Sequence, residues 1–338
     1  MIMTHQTSFQ AILDTLQETK KEFPRNYLSY FSDIDPESLK SLLEGWPRLK
    51  LTRKLVLLDG LVSLMDSDTL VSFDDVGCAL IDDSEPEVRA RAIRLLAESD
   101  DPKLVPTLIE ILKDDADLAP RVEAAHLLGE FVLLGELEEL PEDLHRKAED
   151  ALMAVVASEE HASLRRAALE AVGFSSRFEV ETLIHSAFNR SDPHWVASAL
   201  VAMGRSNDDQ YSDEVVSMLL NEDPRIRVAA VQAAGELSAE AARPIILTML
   251  LDGEEDEDDV IAAGIWSLSQ IGGEDVRAFL VEMLDRTEDE DVTGYIEEAL
   301  DNLDFTEELE KFELLTLDED ALDEDNLVDE DLDGQDEE

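Results

Sequence analysis

Residues Asn221 to Leu237 read NEDPRIRVAAVQAAGEL. Asp223 followed by Pro224 is a helix start, with an acidic cap and a proline where the first helical amide has no partner. Beyond it come two arginines, then Ala229, Ala230, Ala233, Ala234 and Gly235 among a few aliphatic residues. Alanine brings little apolar area, so such a helix is poorly equipped to hold a core alone. Small side chains make sense if other helices approach it very closely.

The same pattern recurs along the chain. SEPEVRARAIRLLAES, DLAPRVEAAHLLGEF, HASLRRAALEAVGF, SDPHWVASALVAMGRS and DEDDVIAAGIWSLSQI share its frame. An aliphatic or similar anchor is often followed by arginine, with a small residue four positions on and glycine or another small residue nine on. The anchors are Val88, Pro120, Leu164, Trp195, Ile226, Val260 and, more weakly, Val292, with an earlier copy anchored on Leu51. From Val88 onward they are spaced 32, 44, 31, 31, 34 and 32 residues apart, and extra residues around EFVLLGELEELPED explain the long second interval. A second apolar helix follows each frame, as in KLVPTLIEILK and DVRAFLVEMLD. Periodicity of this length signals a helix-turn-helix array whose units share one continuous core.

The frame resembles the HEAT-repeat family, in particular the short bacterial HEAT-like repeats also found in phycobilin lyases, through DPRIRVAAVQAAG, DPHWVASALVAMG and EPEVRARAIRLLA. That resemblance implies an all-α fold, a right-handed α-α superhelix of about seven helix pairs. The expected division is an N-terminal helical cap over 1–45, a solenoid over 46–305 and an acidic tail over 306–338. Ala92, Ala124, Ala168, Ala199 and Ala230, with Gly264, occupy the close-approach position. Arg89, Arg121, Arg165 and Arg227 occupy the frame arginine position, where a structural pairing with an acid of the adjacent turn is expected.

Charge restricts the partners. The chain carries 82 acidic and 27 basic residues, a net charge of −55, which repels phosphate backbones. Nucleic acid is therefore not an expected partner; basic proteins or cations are what this charge attracts. Lacking a basic segment followed by an unbroken apolar run, the N-terminal stretch predicts no signal peptide, and no apolar run is long enough for a membrane span. A cytoplasmic protein is the expectation. The single cysteine, Cys78, excludes an intrachain disulfide and reads as a small buried residue. Trp195 and Trp266 fall on apolar helical spacing and read as core, whereas Trp46 has no clear place.

Catalytic and metal motifs are sparse. Deoxyhypusine hydroxylases of HEAT-like fold use His-Glu pairs for iron, and no His-Glu dipeptide occurs here. His126 and Glu130 are four apart on one helix, a spacing that more often marks a surface contact. The DEDLDG stretch at Asp329 opens like an EF-hand loop, but the chain ends before its twelfth position. The acids of GEEDEDDV, from Gly253, read as a solvated loop. No catalytic residue, cofactor or metal is expected. The leading expectation is a non-catalytic interaction scaffold that binds a protein partner along the solenoid surface, through the acidic tail, or both, with a bilin-lyase-like or other HEAT-repeat enzyme as the alternative.

Two charged segments stand out. After Thr306 come 17 acidic residues and one lysine, interleaved with leucines. This segment reads either as a solvating tail or as a recognition element that orders on a partner. Against the general acidity, Arg48, Lys50, Arg53 and Lys54 cluster within seven residues. They read as a solvated face or as a docking patch for an acidic segment.

Overall fold

Three helices begin on Asp-Pro, and the geometry shows the cause. In the computed structural model, which describes residues 8–18, 22–251, 255–287 and 292–306, Asp35, Asp192 and Asp223 sit in extended backbone. Their carboxylates accept hydrogen bonds from helix amides: Glu37 and Ser38, His194, and Arg225, respectively. The following proline occupies the first turn in each, where its missing amide costs nothing. Several frame helices stop on a left-handed residue. Glu138, Asn207 and Ser238 have φ of 62°, 49° and 47°. The Asn207 and Ser238 amides turn back onto the carbonyls of Gly204 and Gly235.

Two N-terminal helices, α1 (Phe9–Gln17) and α2 (Pro36–Gly45), precede the array. Helix pairs then follow in order: α3 (Leu51–Met65) with α4 (Asp74–Leu80), α5 (Pro86–Arg94) with α6 (Leu104–Asp114), α7 (Leu118–Glu136) with α8 (Glu142–Val156), and α9 (Ala162–Val172) with α10 (Phe178–Phe188). After them come α11 (Pro193–Arg205) with α12 (Ser212–Met218), α13 (Pro224–Glu236) with α14 (Arg243–Leu251), and α15 (Asp258–Ile271) with α16 (Glu274–Arg286). A further helix covers 292–306. There are seven pairs, all helical, and the described residues contain no strand. None of these helices is long and apolar enough to cross a membrane. The acidic segment expected after Thr306 lies outside the described residues.

The chain divides into two compact units, 1–189 and 190–338. In the first, α3, α5, α7 and α9 stack each on the next, with α4, α6 and α8 packed against the frame helix that follows them. In the second, α11, α13 and α15 stack in the same way, flanked by α12 and α14.

The small residues are explained by this stacking. Ala92, Ala124, Ala168, Ala199 and Ala230 are all fully buried. Gly129, Gly204 and Gly235, each nine beyond an anchor, lie against the residue seven beyond the next anchor. A Cβ added at Gly129 would sit 3.0 Å from Ala171 Cα; at Gly204, 2.9 Å from Ala233 Cα; at Gly235, 2.9 Å from Ser267 Cα. Those separations are shorter than any ordinary carbon contact, so successive frame helices touch backbone to backbone. Ser267, buried at one of these contacts, satisfies its hydroxyl by donating to the Val231 carbonyl at 2.7 Å.

Residues of the N-terminal segment join the first unit's core. Ile12, Leu16, Phe31, Leu42 and Trp46 join Leu57, Leu61, Phe73 and Val76 in one apolar cluster that continues to Val88 and Ala92. Solenoid ends need such a cover, because the first repeat otherwise exposes its apolar face.

The long interval also has a structural form. Helix α7 runs 19 residues, against 11 in α9 and 13 in α11 and α13. Its last turns overhang the stacking glycine Gly129 and reach α8 instead.

Candidate functional site

The frame arginines stand in the first turn of α5, α7, α9 and α13 and reach toward the turns between repeats. Arg89 donates to the Asp83 carbonyl at 2.9 Å and grips Asp115 with two bonds of 2.7 and 2.8 Å. Arg227 repeats the arrangement, donating to the Asn221 carbonyl at 2.9 Å and binding both Glu255 oxygens at 2.7 Å. Arg121 joins the Leu112 carbonyl at 2.8 Å to Glu160 at 3.1 Å. Arg165 donates to the Val156 carbonyl at 3.0 Å. Each of the first three ties one turn to a later one through the planar donor fork that suits guanidinium. Arg227 foremost, with the Glu257 amide, holds the Glu255 carboxyl below the usual range despite its burial. The arginines are thereby engaged in holding turns together.

The basic cluster near residue 50 does not form a shared exposed face, and this corrects the docking-patch expectation. Arg48 and Lys50 are exposed, but Arg53 and Lys54 are each only 7% exposed. Arg53 reaches the C-terminal end of α1, donating to the carbonyls of Leu16 at 2.9 Å and Glu18 at 2.6 Å. A cation placed there meets the negative end of the helix dipole. Lys54 pairs with buried Asp83 at 3.0 Å, and the same carboxylate accepts the Trp46 indole N–H at 2.6 Å. Trp46 is thus held between Asp83 and the Lys54 ammonium of α3.

Two further expectations are corrected. Cys78 is exposed on α4 and not buried. Desolvation, then Asp74, Asp75 and Asp101, still push its thiol pKa up, so it is a poor nucleophile. Trp266 is 43% exposed, while Trp195 is buried beneath Arg190. Six positions beyond each anchor the chain carries Arg94, His126, Glu170, Val201, Gln232 and Trp266, mostly polar and each exposed or half-buried. Trp266 belongs to that series.

One constellation was not found from spacing. Glu136, the last residue of α7, meets His145 and Glu149 of α8. The His145 Nε2 lies 3.6 Å from Glu136 Oε1 and 3.7 Å from Glu149 Oε1. His145 and Glu149 share the i, i+4 spacing noted for His126 and Glu130, and that was the available signal. The third member comes from the preceding helix, which no single-helix pattern reveals.

Paired helices stacked on small residues and tied at their turns by arginine define an α-solenoid repeat protein. The chain belongs to the HEAT-repeat family, whose repeats match residues 76–173 and 212–301, more than half of its length. Among solved structures it is similar to the complex of CpcE and CpcF of phycocyanin lyase from Nostoc sp. PCC7120, at 18% identity over 68% of this chain and 94% of that one, with a TM-score of 0.44. It is similar also to Kap121p bound to Nup53p, at 15% identity over 94% of this chain and 41% of that one, TM-score 0.43. Human deoxyhypusine hydroxylase in complex with glycerol is a third, at 15% identity over 88% and 96%, TM-score 0.36. No curated protein matches the chain.

Proposed function

We propose that this protein is a non-catalytic scaffold that binds a basic protein segment along the frame-helix face of its second unit. The observation that carries this reading is Trp266. It stands 43% exposed on a helix whose Val260, Ile265 and Leu268 are fully buried. Val201 and Gln232 occupy the equivalent frame position on α11 and α13, and half-buried Val228 and Ile261 lie on α13 and α15. A tryptophan kept out of the core at no packing advantage is the kind of stiff, broad anchor on which protein interfaces concentrate their affinity. Helix α15 opens in exposed acids at 256–259, and the chain's net charge of −55 draws in a basic partner and speeds its encounter. In this reading residues 1–45 serve as the cap, 46–305 as the binding array and 306–338 as an auxiliary acidic element, in a cytoplasmic setting.

The test is capture from the native cell with a photo-crosslinking residue at position 266, compared with one at exposed Glu298. A protein rich in lysine or arginine that crosslinks at 266 and not at 298, and is lost on Trp266→Ala, supports the reading. Crosslinks confined to 298, or an undiminished yield with Trp266→Ala, remove it. A chain ending at Asp304 separates the array's contribution from that of the acidic segment.

A further inference from the structure

We propose that Glu136, His145 and Glu149 bind one zinc-class divalent cation. The three donor atoms lie within 4.8 Å of one another. Metal bonds of about 2.0–2.1 Å to imidazole nitrogen and carboxylate oxygen place tetrahedral ligands roughly 3.3 Å apart. The observed separations of 3.6 and 3.7 Å from His145 Nε2 exceed that by only a few tenths of an ångström. They are too long for hydrogen bonds.

His145 Nε2 is closed off from solvent and has no hydrogen-bond partner. A buried polar atom in that state calls for a reason, and a cation at the centre of the three donors supplies one. The ring is held in place from behind: a methyl group at Gly135 would overlap it, so the glycine is what admits the imidazole between α7 and α8.

The carboxylates are also held. Glu149 is 4% exposed, and its Oε1 accepts the Ser175 hydroxyl at 2.5 Å. Glu136 Oε1 accepts the Ser176 amide at 2.9 Å. A carboxylate oxygen has two lone pairs, so each keeps one for the cation while the outer contact fixes its direction. Arg177 stands 3.6 Å from the other oxygen of Glu149 and steadies that side chain. Two carboxylates and a neutral imidazole balance a dication, and the mixed nitrogen and oxygen set favours zinc over calcium or magnesium, which prefer oxygen alone. Glu136, His145 and Glu149 also line a groove of about 550 Å³, through which water or a partner's side chain can reach further positions on the cation.

The experiment uses the full chain at physiological salt with excess magnesium, which suppresses loose cation binding to so acidic a surface. Zinc is measured by equilibrium dialysis, and cobalt(II) serves as the visible probe. One equivalent of tightly retained zinc is expected, together with intense cobalt d–d bands of a low-coordinate site. Glu136→Gln and His145→Gln should each weaken zinc by about 100-fold or more, while His126→Gln leaves it unchanged. Circular dichroism confirms that each variant is folded. Glu136 ends its helix and is partly exposed, so its variant serves should His145→Gln fail to fold. No retained zinc, a cobalt spectrum that stays that of the aqueous ion, or equal retention in the Glu136 and His126 variants overturns the proposal and leaves a histidine set between two acids.

Discussion

Gly235→Ala separates close helix approach from mere helix propensity as the reason for the small residues. In an ordinary helix interior the change stabilises by about 1 kcal/mol, because alanine loses less backbone freedom. Here the new methyl would lie 2.9 Å from Ser267 Cα and 2.8 Å from Ser267 Oγ. Carbon atoms rest at roughly 3.5–4.0 Å, so α13 and α15 must part by about 1 Å at this level. Gln270 Oε1 also lies in the way, but a flexible side chain swings aside cheaply. Overpacking of this kind costs about 1–3 kcal/mol, which exceeds the propensity gain. The net expectation is a loss of up to about 2 kcal/mol, or up to roughly 8 °C in Tm for a unit of this size. Urea and thermal unfolding measure the loss. Hydrogen exchange assigns it to α13 and α15, which matters because two units need not unfold together. Gly294, with nothing within 4 Å of its added Cβ, is the control and should gain up to about 1 kcal/mol as alanine. Should Gly235→Ala stabilise as Gly294→Ala does, backbone contact is not why these positions are small.

Other outcomes follow from the same contacts. Ala230→Leu, at a fully buried position, should destabilise by about 1–3 kcal/mol in the same unfolding assay. Arg227→Gln breaks the two-bond grip on Glu255 and should cost about 1.5–3 kcal/mol, with exchange rising in the turns around Asn221 and Glu255. Asp83→Asn leaves Lys54 as an unpaired buried cation and should cost about 3 kcal/mol, visible as loosening of the N-terminal cap by exchange. Asp83 also sets an acid limit. Burial pushes its carboxyl pKa up, but the Glu85 amide, the Trp46 indole and Lys54 together outweigh burial and hold it below the usual range. A group depressed in this way stabilises fully above its unfolded value of about 3.9, and that stability is lost as pH falls through the lower folded value. Unfolding free energy measured between pH 6 and pH 2 should therefore drop below about pH 4, less steeply in Asp83→Asn.

Much of the fold was legible because stacking leaves a periodic mark. A small residue four or nine beyond an anchor is required wherever backbones touch, so Ala92, Ala230, Gly204 and Gly235 announce the array without reference to their partners. What spacing cannot carry is the identity of a neighbour from another helix. Arg53 and Lys54 are adjacent in sequence and look like surface charge. Their fates were decided by the end of α1 and by Asp83, 37 and 29 residues away. Trp266 was misread for a different reason. Its apolar character suggested the core, although the polar residues at the same frame position, Arg94, His126, Glu170 and Gln232, already marked that position as outside the core. Register was the better guide than hydropathy.

The long 44-residue interval shows where such an array gains freedom. Positions in register are constrained to be small, or to be arginine, because each must fit both the preceding and the following repeat. Helix α7 overhangs its stacking contact at Gly129, and its last turn reaches α8 and the segment that follows α9. Gly135 and Glu136 lie in this overhang, and His145 and Glu149 lie on the helix it reaches. A histidine between two carboxylates would disrupt the backbone contact of a regular repeat. Outside the register it needs only the local room that Gly135 provides and the outer hydrogen bonds from Ser175 and Ser176. The departure from periodicity and the concentration of ligating side chains therefore have one physical origin, the release of a few helical turns from the demands of stacking.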